Sequence, residues 1–164
     1  MQVSVKVVCD TKQWKKMERN LLRYEGVFVQ TGWWRNVYSN GVPVAQVAAW
    51  NEEGHMNGGM FAGTYTPPRP FMRQGFVPLA KKNLKKFYPF IHQIAMGTMS
   101  WKQMGKTMGE TFTQLLQETI LKWNRPANSP ATVAMKGFND PLIGISGRMY
   151  DTVKYKVTFS KGEK

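Results

Sequence analysis

The side chains best equipped for chemistry in this chain gather between residues 52 and 73. Glu52, Glu53 and His55 come first, then Arg69, Phe71 and Arg73. Two carboxylates beside an imidazole are the raw material of a metal site or of general acid–base work. Nothing completes either one. The other histidine is His92, and no spacing sets two ligands on one face, so His55 reads as a solvated loop residue and His92 as a helix-surface residue. Arg69, Phe71 and Arg73 are of a different kind: two guanidinium forks flank a large ring on a backbone stiffened by Pro67, Pro68 and Pro70. Three prolines remove three donors and fix φ near −65°, so this stretch is an extended connector and not helix interior or central strand. A rigid backbone that presents such side chains either positions something specific or is a stiff surface loop entering a helix.

The remaining reactive types are isolated. Cys9 is the only cysteine, which rules out an internal disulfide and a cysteine-built zinc site. Ser100 and Ser146 have no matched base. The glycines between Gly54 and Gly63 lack the closing Gly-Lys-Ser/Thr of a phosphate-binding loop, and Gly144–Gly147 is too short to be one. The expectation is a protein without catalytic, cofactor-binding or metal-binding residues, and not an enzyme.

These side chains need a scaffold, and the elements are legible in outline. Val3, Val5 and Val7 alternate with polar residues as a strand would. Asp10 and Gln13 have capping-box spacing ahead of an amphipathic helix over residues 11–24, with Trp14, Met17, Leu21 and Tyr24 as its apolar stripe. A strand follows from Val27 to Trp34, continuing to Tyr38, and Pro43 opens a short helix from Val44 to Glu53 that Gly54 ends. Residues 54–66 read as a long flexible loop or an irregular hairpin. Beyond the connector, Leu84, Phe87, Tyr88, Ile91, Ile94 and Ala95 form a stripe that Pro89 must kink or divide. Ser100 and Gln103 cap a helix running to Trp123, whose Gly105 and Gly109 would admit a close neighbour. Arg125–Pro130 is a rigid turn, residues 131–150 show little regular pattern, and Val153–Phe159 alternates as the clearest strand, ahead of a frayed tail at 160–164. The expected fold is one α+β domain over residues 1–164: a small antiparallel or mixed sheet packed by two longer helices, with shorter helices towards the N-terminus.

Charge is the other conspicuous property. The net charge is +13, and residues 77–125 carry about +6 of it. Such an excess points to nucleic acid, or to acidic neighbours within an assembly. No apolar run approaches the ~18 residues of a membrane span, and the N-terminus has no signal-peptide pattern, so synthesis in the cytosol is expected.

Three ordered motifs together resemble a known family. Ala45–Gly54 is similar to its short helix ending in Glu-x-Gly, and Pro67–Arg73 to its Pro-Pro-Arg-Pro-Phe-x-Arg connector. Asn128-Ser129-Pro130, Thr132, Lys136-Gly137, Pro141-Leu142-Ile143 and Gly147-Arg148-Met149 resemble its C-terminal segment, which a closing strand follows. The family is the neck and tail-completion group of tailed phages, including the minor tail protein Z type and related virion morphogenesis proteins. The resemblance implies a structural virion protein, assembled in the host bacterial cytoplasm, that forms part of a homo-oligomeric ring at the head–tail junction or upper tail. Its partners would be other copies of itself and adjoining neck, connector, tail-tube or terminator proteins, with no membrane or small-molecule substrate. A tail terminator or head-closure ring protein is the neighbouring alternative, and a basic nucleic-acid-binding protein the alternative of a different class.

On this reading Glu52, Arg69, Phe71 and Arg73 are candidate interface residues: Phe71 fills a pocket on a neighbour while Arg69 pairs with an acid, Glu52 being one candidate. Equally open is Phe71 in its own core with Arg69 in an intrachain pair. Met60, Phe61 and Tyr65 in the glycine-rich loop form a second candidate surface. Lys81, Lys82, Lys85 and Lys86 form a basic face, for which solvent, packaged DNA and an acidic partner ring are the roles open.

Overall fold

In the computed structural model, which describes residues 11–23, 26–59 and 62–160, the longest element starts where Ser100 and Gln103 cap one another. The Ser100 hydroxyl accepts from the Gln103 N–H at 3.1 Å, and the Gln103 side chain accepts from the Ser100 N–H at 2.8 Å. Two N–H groups that would otherwise be orphaned are thus satisfied at once. The helix it starts, α5 (Trp101–Lys122), buries Met104, Gly105, Gly109, Phe112, Leu116, Thr119 and Ile120 along one face. The rest of the fold is arranged around that face.

In chain order the other elements are α1 (Thr11–Leu21), β1 (Gly26–Gly32), α2 (Val44–Glu53), β2 (His55–Met56), β3 (Tyr65–Thr66), α3 (Val77–Leu84), α4 (Tyr88–Met96), α6 (Pro130–Lys136), α7 (Arg148–Asp151) and β4 (Lys154–Ser160). The fold is α+β, with two antiparallel two-stranded sheets among the described residues, β1–β4 and β2–β3. In the larger one Val29 faces Val157 and Thr31 faces Tyr155. That ribbon lies on α5 where the helix has no side chains. A Cβ on Gly105 would stand 2.7 Å from Val157 Cγ1, and one on Gly109 would overlap the Tyr155 ring. The two glycines, one turn apart, are the notch into which the ribbon fits. Further along α5, Phe112 meets Phe76 and Phe87 edge-on, at 6.5 and 5.9 Å between ring centres. Edge-to-face geometry is what the ring quadrupole favours.

Several expectations need correction. β1 stops at Gly32 because Arg35 turns the chain with φ +58°, and the Trp33 indole donates to the Met149 carbonyl at 2.7 Å. α1 keeps its predicted span closely, but Trp14 is exposed and Met17 and Leu21 are only half-buried, so its stripe is not core. It is held at its C-terminal end, where the Asn20 side chain donates to the Ala95 carbonyl and the Asn20 main-chain carbonyl accepts from the Trp101 indole. The lysine-rich helix is divided at a tight turn over Lys85–Phe87, leaving Pro89 in the first turn of α4 where a missing N–H costs nothing. Of its stripe Phe87, Ile94 and Ala95 are buried, whereas Leu84, Tyr88 and Ile91 face solvent. α6 starts on Pro130, the last residue of the expected rigid turn, and runs on through residues expected to show little regular pattern: the Ser129 hydroxyl accepts from the Thr132 N–H, Pro130 takes the first position and Gly137 ends the helix in the left-handed conformation. The strand at Val3–Val7, Asp10 of the first capping box, Cys9 and the tail beyond Ser160 lie outside the described residues.

Candidate functional site

The stretch 54–66, expected to be a long flexible loop or an irregular hairpin, is a hairpin with a pinned base. β2 and β3 pair His55 with Thr66 and Met56 with Tyr65, and the Asn57 side chain bonds both Thr64 and Thr66 hydroxyls, at 2.9 and 3.1 Å. The hairpin therefore delivers the proline connector to a fixed point beside the C-terminal end of α2. There the Arg69 N–H donates to the Asn51 carbonyl at 2.6 Å. Past Pro70 the chain winds into a wide helical turn over Phe71–Phe76 that runs on into α3.

The start of that turn exposes N–H groups with no intrahelical acceptor, and Glu52 meets them. Its Oε2 accepts from the Met72 N–H at 2.8 Å, and its Oε1 from the Arg73 N–H at 3.0 Å. The carboxylate, largely buried, acts as a cap supplied from another helix, at the end where the helix dipole favours negative charge. The Arg73 Nε joins it at 3.0 Å, while Arg73 Nη2 reaches out to Glu53 at 3.2 Å.

Arg69 points the other way. Its Nη1 donates to Asn51 Oδ1 at 3.1 Å, its Nε to the Pro126 carbonyl at 3.1 Å and its Nη2 to Asn128 Oδ1 at 3.3 Å. The residue is 7% exposed, and burial lowers its pKa from the ordinary guanidinium value. Between the two arginines Phe71 is 0% exposed, packed in the main core with the Trp33 ring edge-on at 6.3 Å.

Glu52, one candidate partner for Arg69, takes Arg73 instead, and Arg69 takes neutral oxygens of its own chain. Phe71 is enclosed in the core of its own chain, and Arg69 is largely buried with its three side-chain bonds made within its own chain. Glu52 is enclosed as well, and Arg73 keeps an exposed outer edge. Tyr65 is exposed on the hairpin, as are Lys81, Lys82, Lys85 and Lys86 on α3 and the turn after it. Met60 and Phe61 lie outside the described residues. Asn51, Asn128 and Lys136 are the participants that charge-and-motif reasoning passed over as site residues, although each stands within a motif stretch.

Above Arg69 opens a cleft of about 890 Å³ between α2, the β2–β3 hairpin and the segment 127–144. Trp50 and His55 stack on its wall at 5.4 Å. Lys136 lines it too, with Nζ bonded to the Asp140 carbonyl at 2.7 Å and 4.6 Å from the Phe138 ring centre. Burial first, then the charge of Arg69, lowers the Lys136 pKa, against an upward pull from Asp140. Tyr38, on the same wall, is raised by burial, with Arg148 pulling down. Among the described residues no three His, Cys, Asp or Glu side chains gather as a metal site, and no helix is long and apolar enough to cross a membrane. The arrangement offers fixed hydrogen-bond donors in a cationic recess. No known family model, curated protein or solved structure matches the chain.

Proposed function

We propose that this protein is a non-enzymatic structural subunit of a tailed-phage virion, one copy in a ring at the head–tail junction or upper tail that completes or stabilises the joint. One observation supports the reading beyond the sequence resemblance. The three motif stretches, far apart in the chain, meet in space at Arg69: Asn51 from the first, Arg69 from the second and Asn128 from the third are joined by direct hydrogen bonds. Motifs that resemble a family and also bind one another act as one structural unit. That unit fixes the connector and leaves the exposed hairpin around Tyr65 and the lysine face of α3 for contacts with other chains. A rigid subunit loses little conformational freedom on docking, which suits a ring.

Native mass measurement and negative-stain microscopy of the purified protein test the reading. Rings, or particles that cap tails, are the expected outcome. A monomer that binds free DNA tightly, with affinity falling steeply as salt rises, would replace it with the nucleic-acid-binding alternative.

A further inference from the structure

Among the described residues Arg69 is a buried cation with no anion bonded to it. A guanidinium carries five N–H donors. Its three side-chain bonds go to Asn51, Pro126 and Asn128, all neutral, so one donor on each terminal nitrogen is left over. Buried charges are ordinarily paired, because desolvation is costly when nothing offsets it. Glu52, next door, obeys that rule through Arg73.

The same cleft holds a second unspent group. Asn128 Oδ1 accepts from Arg69, which fixes the orientation of the amide, and Asn128 Nδ2 is buried without a partner among the described residues. Lys136 stands on the same wall as a third donor. Among the described residues no Asp or Glu lines the cleft; Asp140, whose charge reaches Lys136, bonds it through its main-chain oxygen. Depth selects the ligand: a nucleic-acid backbone cannot descend to a residue 7% exposed, whereas a side chain on a peptide segment can. Apolar and aromatic walls at Trp50, Tyr65 and Ile143 suit such a segment. Net charge selects the source, since a second copy would bring another +13 to the contact.

We propose that this cleft receives a carboxylate side chain from an acidic segment of a different protein, held by Arg69, Asn128 and Lys136. A planar carboxylate matches the paired N–H groups of a guanidinium. The site stands on the cleft alone and holds or fails separately from the neck reading.

The test is titration of the full chain, followed by NMR of its side-chain N–H signals, with a capped glutamate-containing peptide, its glutamine counterpart and inorganic phosphate. The glutamate peptide should perturb the Arg69 and Asn128 signals saturably and bind at least about tenfold more tightly than the glutamine peptide. Lys136→Gln should weaken it about tenfold, and Lys82→Gln, which removes the same charge from an exposed position, less than about twofold. Asn128→Asp supplies the anion internally, so it should raise the melting temperature and abolish peptide binding. The site is overturned by equal binding of the glutamine peptide, by equal losses in the two lysine variants, by phosphate binding there as well as the peptide does, or by a lower melting temperature in Asn128→Asp.

Discussion

Glu52 holds Arg73 twice with one oxygen: Oε1 accepts both the main-chain N–H and the side-chain Nε, each at 3.0 Å. The main-chain bond is the structural one, since with Met72 it caps the wide turn that begins at Phe71. The side-chain bond belongs to a guanidinium that is 60% exposed.

The two contributions separate by mutation. Glu52→Gln weakens all the charge-assisted bonds and should cost about 2–3 kcal/mol. Arg73→Ala leaves the cap intact and should cost about 1 kcal/mol or less. Urea unfolding of both variants measures the difference, and equal losses would mean that the ion pair and not the cap holds this corner.

Gly109→Ala puts a methyl group into the Tyr155 ring. At an open helix position the change would add about 1 kcal/mol of stability. Here overpacking should reverse the sign, to a loss of about 1–3 kcal/mol. A double-mutant cycle with Tyr155→Ala is diagnostic: in that background Gly109→Ala should no longer destabilise.

Phe71 and Tyr65 make a matched pair of aromatics, one enclosed and one on the hairpin surface. Phe71→Ala should cost about 3–5 kcal/mol. Tyr65→Ala should change stability by no more than about 0.5 kcal/mol. Thermal melts of the two variants check this, and a mild Phe71 result would return that ring to the list of docking residues.

Tyr38 predicts an alkaline weakness. Its folded pKa is raised by burial, so above the ordinary tyrosine value near 10 the unfolded state ionises first. The folded state then binds more protons than the unfolded, and stability falls as pH rises through the folded pKa. Denaturant midpoints between about pH 9 and 11 should decline less in Tyr38→Phe than in the parent.

Where signals are local, the sequence was a good guide. Pro43 and Gly54 bracket α2, Ser100 and Gln103 start α5, and the glycines at 105 and 109 announce a close neighbour, each through residues a few positions apart. α6 has signals of the same kind in Ser129, Pro130 and Gly137, but its caps enclose only seven residues, too few for a periodic stripe to show. The partners of Arg69 were beyond reach. They lie 18, 57 and 59 residues away and are neutral oxygens, so neither spacing nor charge pattern marks them. The choice of Arg73 over Arg69 for Glu52 depends on the wide turn at Phe71–Phe76, which brings the Arg73 N–H round to the carboxylate. No periodicity in the residues predicts that turn.

The β1–β4 ribbon sets a schedule. Its strands are separated by about 120 residues, from Gly32 to Lys154, and translation at about 5–20 residues per second puts several seconds to tens of seconds between them. For most of that interval β1 has no partner strand, and once α5 is complete at Lys122 its Gly109 still lacks the Tyr155 ring that covers it. A nascent chain arrested before Lys154 should therefore keep α5 open to proteases, and releasing it through Ser160 should close the notch. β1 must wait for β4.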